Sequence, residues 1–317
     1  MACAGVLSRQ QKRPLLLRSS AWGVLTRRIL FGRESLVFVI VGGIVVTICV
    51  LVGFSMAGGH VEALIHPSEF VTIGGATAGA MIIMAPVKVL KDMLRGCIQT
   101  VKGSPYGKAT CAELFKLLYA ITRMTRSEGV LALDQHLSDP KASTLFKQYT
   151  KISGNHHALD FLCDSLSLIV DGQAETEKLA GWLDEEIAVI DREHHAASGT
   201  MAKVGDGLPG FGIVAAVLGI VVTMQSIGGP VDEIGEKVGA ALVGTFLGIL
   251  MAYGFVGPMA ARMESLGEQE SLFLRAIAIA VVAINEGANP REVVVRARRI
   301  ISTDCRPSQA ELKQMFS

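Results

Sequence analysis

The sequence predicts an all-α protein that crosses a membrane four times, with a large helical segment between the second and third crossings and a helical tail. Three observations carry this. Half of the 317 residues belong to the apolar set and only 19% are charged. The apolar content is gathered into four stretches free of Asp, Glu, Lys and Arg, at 36–59, 70–87, 207–231 and 238–261. Elsewhere apolar residues recur at helical spacing, and no stretch alternates as a strand would. About 20 apolar residues at 1.5 Å rise cross roughly 30 Å of hydrocarbon, so each stretch is long enough to span a bilayer. The mean hydropathy of +0.44 agrees. A net charge of +1 with this apolar content excludes an intrinsically disordered chain. It also excludes an electrostatic nucleic-acid binder, which needs a basic excess.

Residues 1–35 form a basic extension, with Arg9, Lys12, Arg13, Arg18, Arg27, Arg28 and Arg33 against the single acid Glu34. It reads as poorly ordered chain resting on anionic lipid headgroups. A secretory signal would end in a small-residue cleavage site after a shorter apolar run, so the first stretch reads as a retained helix. Transmembrane helices 1 and 2 occupy 36–95. Residues 60–69 between them hold no Lys or Arg, whereas Lys88, Lys91, Arg95 and Lys102 follow the second. Helices 3 and 4 occupy 205–262, joined by a short turn at 232–237 with three acids and only Lys237. Basic residues stay on the cytoplasmic side. Both termini, the 96–204 segment and the 263–317 tail are therefore expected in the cytoplasm.

Within 96–204, residues 108–126 are apolar at helical spacing (Leu114, Leu117, Leu118, Ile121), with Gly129 as the break. Ser153-Gly154-Asn155 marks a second turn, and a helix is expected from His157 to about His195. In the tail, 272–285 is apolar but interrupted by Arg275 and too short to span; Asn289-Pro290 opens a basic helix to about Ser302. The cysteines Cys3, Cys49, Cys97, Cys111, Cys163 and Cys305 are scattered with no C-x-x-C. Cys49 lies in a span and the rest on the reducing side, which favours free thiols.

The third span, read from Val204, carries Gly205, Pro209, Gly212, Ala216, Gly219 and Thr223, three or four residues apart, and the fourth carries Ala241, Thr245, Gly248 and Ala252. Such stripes of small residues let helix backbones approach closely, so each expects another helix against it. Pro209 cannot donate an amide to Gly205 and kinks its helix, either harmlessly or as a hinge. The interiors of all four stretches lack an acid or base, leaving hydroxyls such as Thr223, Ser226 and Thr245. Ion-coupled carriers normally keep a functional carboxylate there. If an ion gradient is used, a partner helix must supply that group.

His156-His157 with Asp160, and Glu193 with His194-His195, are candidate metal ligands. Adjacent histidines diverge on a helix, and no H-x-x-x-H or C-x-x-C supports them; they read as solvated surface. No nucleophile elbow or phosphate loop is present outside the spans, so no cofactor and no enzymatic chemistry are expected. Arg123, Arg126, Glu128 and Asp134 bracket Gly129, and Asp184-Glu185-Glu186 opens a helical stretch. These read as solvated faces or as docking charges.

The run Ala241-Leu-Val-Gly-Thr245-Phe-Leu-Gly248-Ile-Leu250, followed by seven residues and Pro258, resembles the signature of the MotA family. These are the A subunits of the bacterial flagellar stator, within the MotA/TolQ/ExbB superfamily. Asp184-Glu-Glu-Ile187, Val204-Gly-Asp-Gly-Leu-Pro-Gly-Phe-Gly-Ile-Val-Ala-Ala216 and Arg306-Pro307-Ser308 are similar to the same family. The likeness covers about 36–315. The resemblance implies a homopentamer around a dimer of B subunits (MotB), which supply the ion-binding aspartate and a peptidoglycan anchor. That ring turns the rotor protein FliG. It implies that Pro209 and Pro258 are conformational hinges. Arg126, Asp134 and Glu186 face the rotor, Asp134 replacing the more usual glutamate. Ala216, Thr245, Gly212 and Gly248 line the ion route and face the B helices. Alanine at 216 is the proton-driven pattern, so protons are the expected coupling ion. The alternatives are a sodium-driven stator, a TolQ/ExbB-like energiser (typically three spans) and, from another class, a membrane enzyme or solute carrier. The last lacks a catalytic constellation and an intramembrane charge.

Overall fold

The computed structural model describes residues 34–172 and 175–316; the basic extension expected over 1–35 falls almost wholly outside them. Among the described residues every regular element is helical. Helix α1 (Glu34–Met56) is followed by a short 3-10 turn and α2 (Pro67–Met84). Ala85 precedes Pro86, whose ring disfavours helical geometry in its neighbour, and its extended backbone separates α2 from α3 (Val87–Lys102). α4 (Lys108–Glu128) stops at Gly129, which takes φ +87°, a left-handed conformation that glycine adopts without strain.

After two single-turn helices comes α5 (His156–Val170), capped by the Asn155 side chain, which accepts from the Ala158 amide. The single helix expected from His157 to His195 is divided instead. Gly172 at φ +68° ends α5, and a new helix, α6, runs Thr176–Gln225. The left-handed glycine breaks the helix, and residues on both sides of the break, Leu166 and Leu179 among them, are buried in one core. α6 contains 50 residues, about 75 Å at 1.5 Å per residue. Pro209 lies within it.

α7 (Val231–Met251) begins earlier than expected: 232–237 is not a turn but its first two turns, and Pro230 caps it. A π-helical segment, Ala252–Val256, joins it to α8 (Gly257–Asn285). α9 (Pro290–Ile300) follows the Asn289 cap, and α10 (Gln309–Met315), unforeseen from the sequence, is held by a capping box between Ser308 and Glu311.

Two apolar clusters organise these helices. The first joins Leu114, Leu118 and Ile121 of α4 to Leu159 and Leu162 of α5, Leu183 of α6, Phe273 and Ile277 of α8 and Val293 of α9. Each such side chain contributes about 1.5–3 kcal/mol on full burial. The apolar 272–285 run is thus the spine of this domain. The second cluster joins Ile73 of α2, Met93 of α3, Met201 and Leu208 of α6, and Ala252, Val256 and Met263 around the π segment. Among the described residues three helices are long and apolar enough to cross a membrane, Val37–Met56, Thr176–Gln225 and Val231–Asn285. α2 has 18 residues and opens on Pro67-Ser68-Glu69. Along α1, Phe38, Ile44, Val45, Ile48 and Val52 are exposed, so its apolar surface is left for lipid or another chain.

Candidate functional site

The two small-residue stripes meet each other. A Cβ built at Gly212 would lie 2.8 Å from the Gly244 carbonyl oxygen and 3.2 Å from Gly248 Cα; one built at Gly248 would lie 2.7 Å from the Leu208 carbonyl oxygen. One at Gly219 would lie 2.6 Å from Ala241 Cβ. Real Cβ atoms essentially never come within 3.0 Å of such atoms. The expectation that Gly212 and Gly248 face a partner's helices is therefore corrected. Both are used up in the crossing of α6 with α7, because only hydrogen side chains allow backbones this close. Ala216 is also buried, and Thr245 is half-buried beside the crossing.

Pro209 follows Leu208, whose carbonyl faces Gly248, and is itself half-buried within α6. Pro258 is exposed at the start of α8, directly after the π segment in a helix continuous from Val231 to Asn285, where it removes one main-chain donor. The segments preceding the two prolines touch: a Cβ at Gly205 would lie 3.3 Å from Val256 Cγ1 and 3.7 Å from the Gly257 amide nitrogen. Beside this contact a cavity of about 430 Å³ opens between α6 and the π segment, lined by Ala202, Asp206, Tyr253 and Glu264 among others. The expected hinge positions thus flank one contact between α6 and the α7–α8 junction.

The structure overturns one expectation in the bundle. Counting uncharged residues starts the second stretch at Phe70, which leaves Glu69 outside it. Glu69 is instead in the first turn of α2 and only 7% exposed. A Cβ at Gly244 would lie 2.5 Å from Glu69 Oε2 and 3.0 Å from Ala215 Cβ, and that oxygen has no hydrogen-bond partner. The bundle therefore has an acid of its own. An acid at the third helical position after a proline, opposite a glycine-rich helix, was the available signal.

Arg126 in the last turn of α4 and Asp134 at the start of the Asp134–Leu137 helical turn are both exposed, on either side of Gly129. Among the described residues neither forms an ion pair. Glu186 is exposed on α6; partial burial pushes its carboxyl up, and the charge of Asp164 pushes it further. It therefore keeps company with α5 rather than with Arg126.

A second cluster lies where α5, α6 and α8 pack together. Glu270 of α8, only 4% exposed, sits 2.9 Å (Oε1) from His157 Nδ1 and 3.4 Å (Oε2) from His194 Nε2. Burial alone would raise this carboxyl, but the two histidine contacts and their charge hold it at about 2. Both histidines are raised in turn, chiefly by the same contacts. The reading of these histidines as solvated surface holds for His156, His157 and His195, which are exposed, and not for half-buried His194; one of each adjacent pair, His157 and His194, nonetheless reaches the carboxylate, while His195 lies 3.9 Å from Glu264. The divergence of neighbours on a helix produces this split. Lys88 of α3 pairs with Glu193 of α6 at the rim of a cavity of about 410 Å³ above the cluster.

Comparisons agree with this architecture. The model of the motility protein A N-terminal region matches residues 40–129, and that of the MotA/TolQ/ExbB proton channel family matches 153–275. Motility protein A of Salmonella typhimurium is 35% identical over 276 residues, covering 87% of this chain and 94% of that protein. The structure of C. jejuni MotAB superposes with a TM-score of 0.72 at 21% identity, covering 86% of this chain and 99% of that one. The flagellar MotAB stator complex of Bacillus subtilis gives 0.67 at 24% identity, covering 87% and 98%. At these identities the two structures bear on the fold alone. With the sequence relatedness added, the chain belongs to the motility protein A family.

Proposed function

We propose that this chain is the A subunit of a flagellar stator, which with a B subunit couples proton flow across the inner membrane to torque on the rotor. It acts as a motor component and not as an enzyme. α1, α2, the outer part of α6 and α7 are its four spans, with both termini and the α3–α5 region in the cytoplasm. Five copies surround a dimer of MotB, and the outward apolar face of α1 meets lipid. Ala216 and Thr245 line the route of the proton, which no bound cofactor assists. Pro209 and Pro258 are the hinges. Arg126, Asp134 and Glu186 push on complementary charges of FliG.

The observation that carries this reading is the Gly212–Gly248 crossing on α6. It ties the Thr245 segment to a helix that continues unbroken from the bundle to Glu186 in the cytoplasmic domain. Glu186 lies 23 residues before Pro209, about 35 Å along the axis. A charge change near Thr245 would bias that helix at the Pro209 hinge, and the helical length between Pro209 and Glu186 carries the displacement to the rotor-facing surface. The match of the motility protein A N-terminal model favours the stator over a TolQ/ExbB-like energiser.

The test is complementation. A strain lacking its A subunit, given this chain with its B subunit, should swim, and a protonophore should stop it. Absence of swimming despite assembled complex at the membrane would refute the reading.

A further inference from the structure

The proposed pathway assigns its titrating group to the partner, yet the bundle holds a carboxyl of its own. Gly244, which faces Glu69 Oε2, is the fourteenth residue of α7, so it lies about 20 Å below that helix's outer end. Ala215, beside it, lies about 15 Å before Gln225, the end of α6. Although Glu69 starts its own helix, its carboxyl is therefore deep within the neighbouring pair. Ala215 and Gly244 each immediately precede a residue assigned to the ion route, Ala216 and Thr245.

The surroundings are built around the acid. Any side chain at Gly244 would collide with it. Neither α6 nor α7 brings a charged side chain to it there; the titratable neighbour is His66, at the cap of its own helix. A buried carboxylate in a membrane bundle marks an ion or proton path unless a fixed partner neutralises it. Glu69 Oε2 has no such partner, which leaves it open to an exchangeable one.

We propose that Glu69 is a proton-binding group of the coupling pathway, supplied by this chain, at the level of Ala216 and Thr245. The step moves one proton and no electrons. The carboxylate takes the proton from hydronium on the outer side and gives it to a carboxylate or water further in, returning to its starting form. Gly244 holds open the space in which this exchange occurs. The inference rests on the stator reading and adds a residue to it.

The test uses the complete complex with its B subunit in the complemented strain. Glu69→Gln keeps the shape of the side chain and cannot ionise; Glu69→Asp keeps the acid at shorter reach. The Gln variant should insert, retain its B subunit and swim at least about tenfold slower, on the scale of losing one proton-transfer group. The Asp variant should keep measurable speed, with its dependence on external pH displaced. Wild-type speed and pH profile in Glu69→Gln would overturn the proposal. So would slow swimming explained by lost insertion or lost B subunit in that variant, since Glu69 would then be a packing residue. Failure of the wild-type chain to restore swimming refutes the stator reading instead, so the two failures are distinguishable.

Discussion

Gly212 and Gly248 face each other across the α6–α7 crossing so closely that a Cβ on either would strike the other helix's backbone, at 2.8 Å from the Gly244 carbonyl oxygen or 2.7 Å from that of Leu208. Backbone cannot move aside as a flexible side chain can. Gly212→Ala and Gly248→Ala should each destabilise the bundle by about 1–3 kcal/mol, the usual cost of overpacking. Gly210→Ala, which meets nothing within 4 Å, should be neutral or slightly stabilising. Thermal unfolding of the three variants in detergent checks the ordering.

Pro209 interrupts the amide ladder of α6 between Leu208 and Gly212, the two positions at which that helix meets Gly248 of α7. Pro209→Ala restores a donor toward the Gly205 carbonyl and should stiffen the helix. The expected outcome is unchanged or improved folding with reduced swimming speed. A bulky charge, Pro209→Arg, should abolish swimming while insertion and ring assembly persist. Membrane fractionation beside motility tracking separates the two effects. Unimpaired swimming of Pro209→Arg would remove the hinge from the account.

The exposed charges on either side of Gly129 make no ion pair among the described residues, so their substitution should leave stability within about 0.5 kcal/mol. Arg126→Glu should nonetheless lower torque, and a matching reversal on the rotor protein should restore part of it. Torque measured on tethered cells checks this. Recovery with the matched reversal, and not with an unmatched one, identifies contact across the interface.

The Glu270 cluster gives a pH signature to the helical domain around α5, α6 and α8. Glu270 is held at about 2, below its ordinary 4.5, so its contribution is complete above 4.5 and fades as pH falls toward 2. His157 and His194 are raised above 6.5, so theirs is complete below 6.5 and fades as pH rises through their raised values. Relative to Glu270→Gln, the wild-type protein should gain most between pH 4.5 and 6.5. The gain should be about 1.5–3 kcal/mol at most, the range for hydrogen bonds to charged groups, and reduced by the exposure of His157. Unfolding temperature of both proteins across pH checks it; a constant difference would show that the contacts are not charge-assisted.

Much of this architecture was legible in the residues because its causes are local. Uncharged runs mark the bundle helices, Gly129 marks the end of α4, and Asn289-Pro290 marks the start of α9. The misplaced boundaries also have local causes. Gly172 sits in an otherwise helical pattern that does not betray its left-handed backbone, and the acids at 232–237 have the composition of a turn although they open α7. What the sequence hid was partnership. A stripe of small residues announces a close neighbour without saying which, so Gly212 and Gly248 were assigned to another chain when each had its mate within the fold. His157, His194 and Glu270 lie far apart along the chain and meet only after α5, α6 and α8 pack. Glu69 was hidden by a convention, since counting uncharged residues stops one position short of it.

The central claim is that this chain, with a B subunit, converts a proton gradient into rotation. The most direct measurement is the swimming speed of a strain lacking its own A subunit, complemented with this chain and its B subunit, in buffers with and without sodium. The account predicts equal speeds in both buffers. Swimming that disappears when sodium is withdrawn would contradict it.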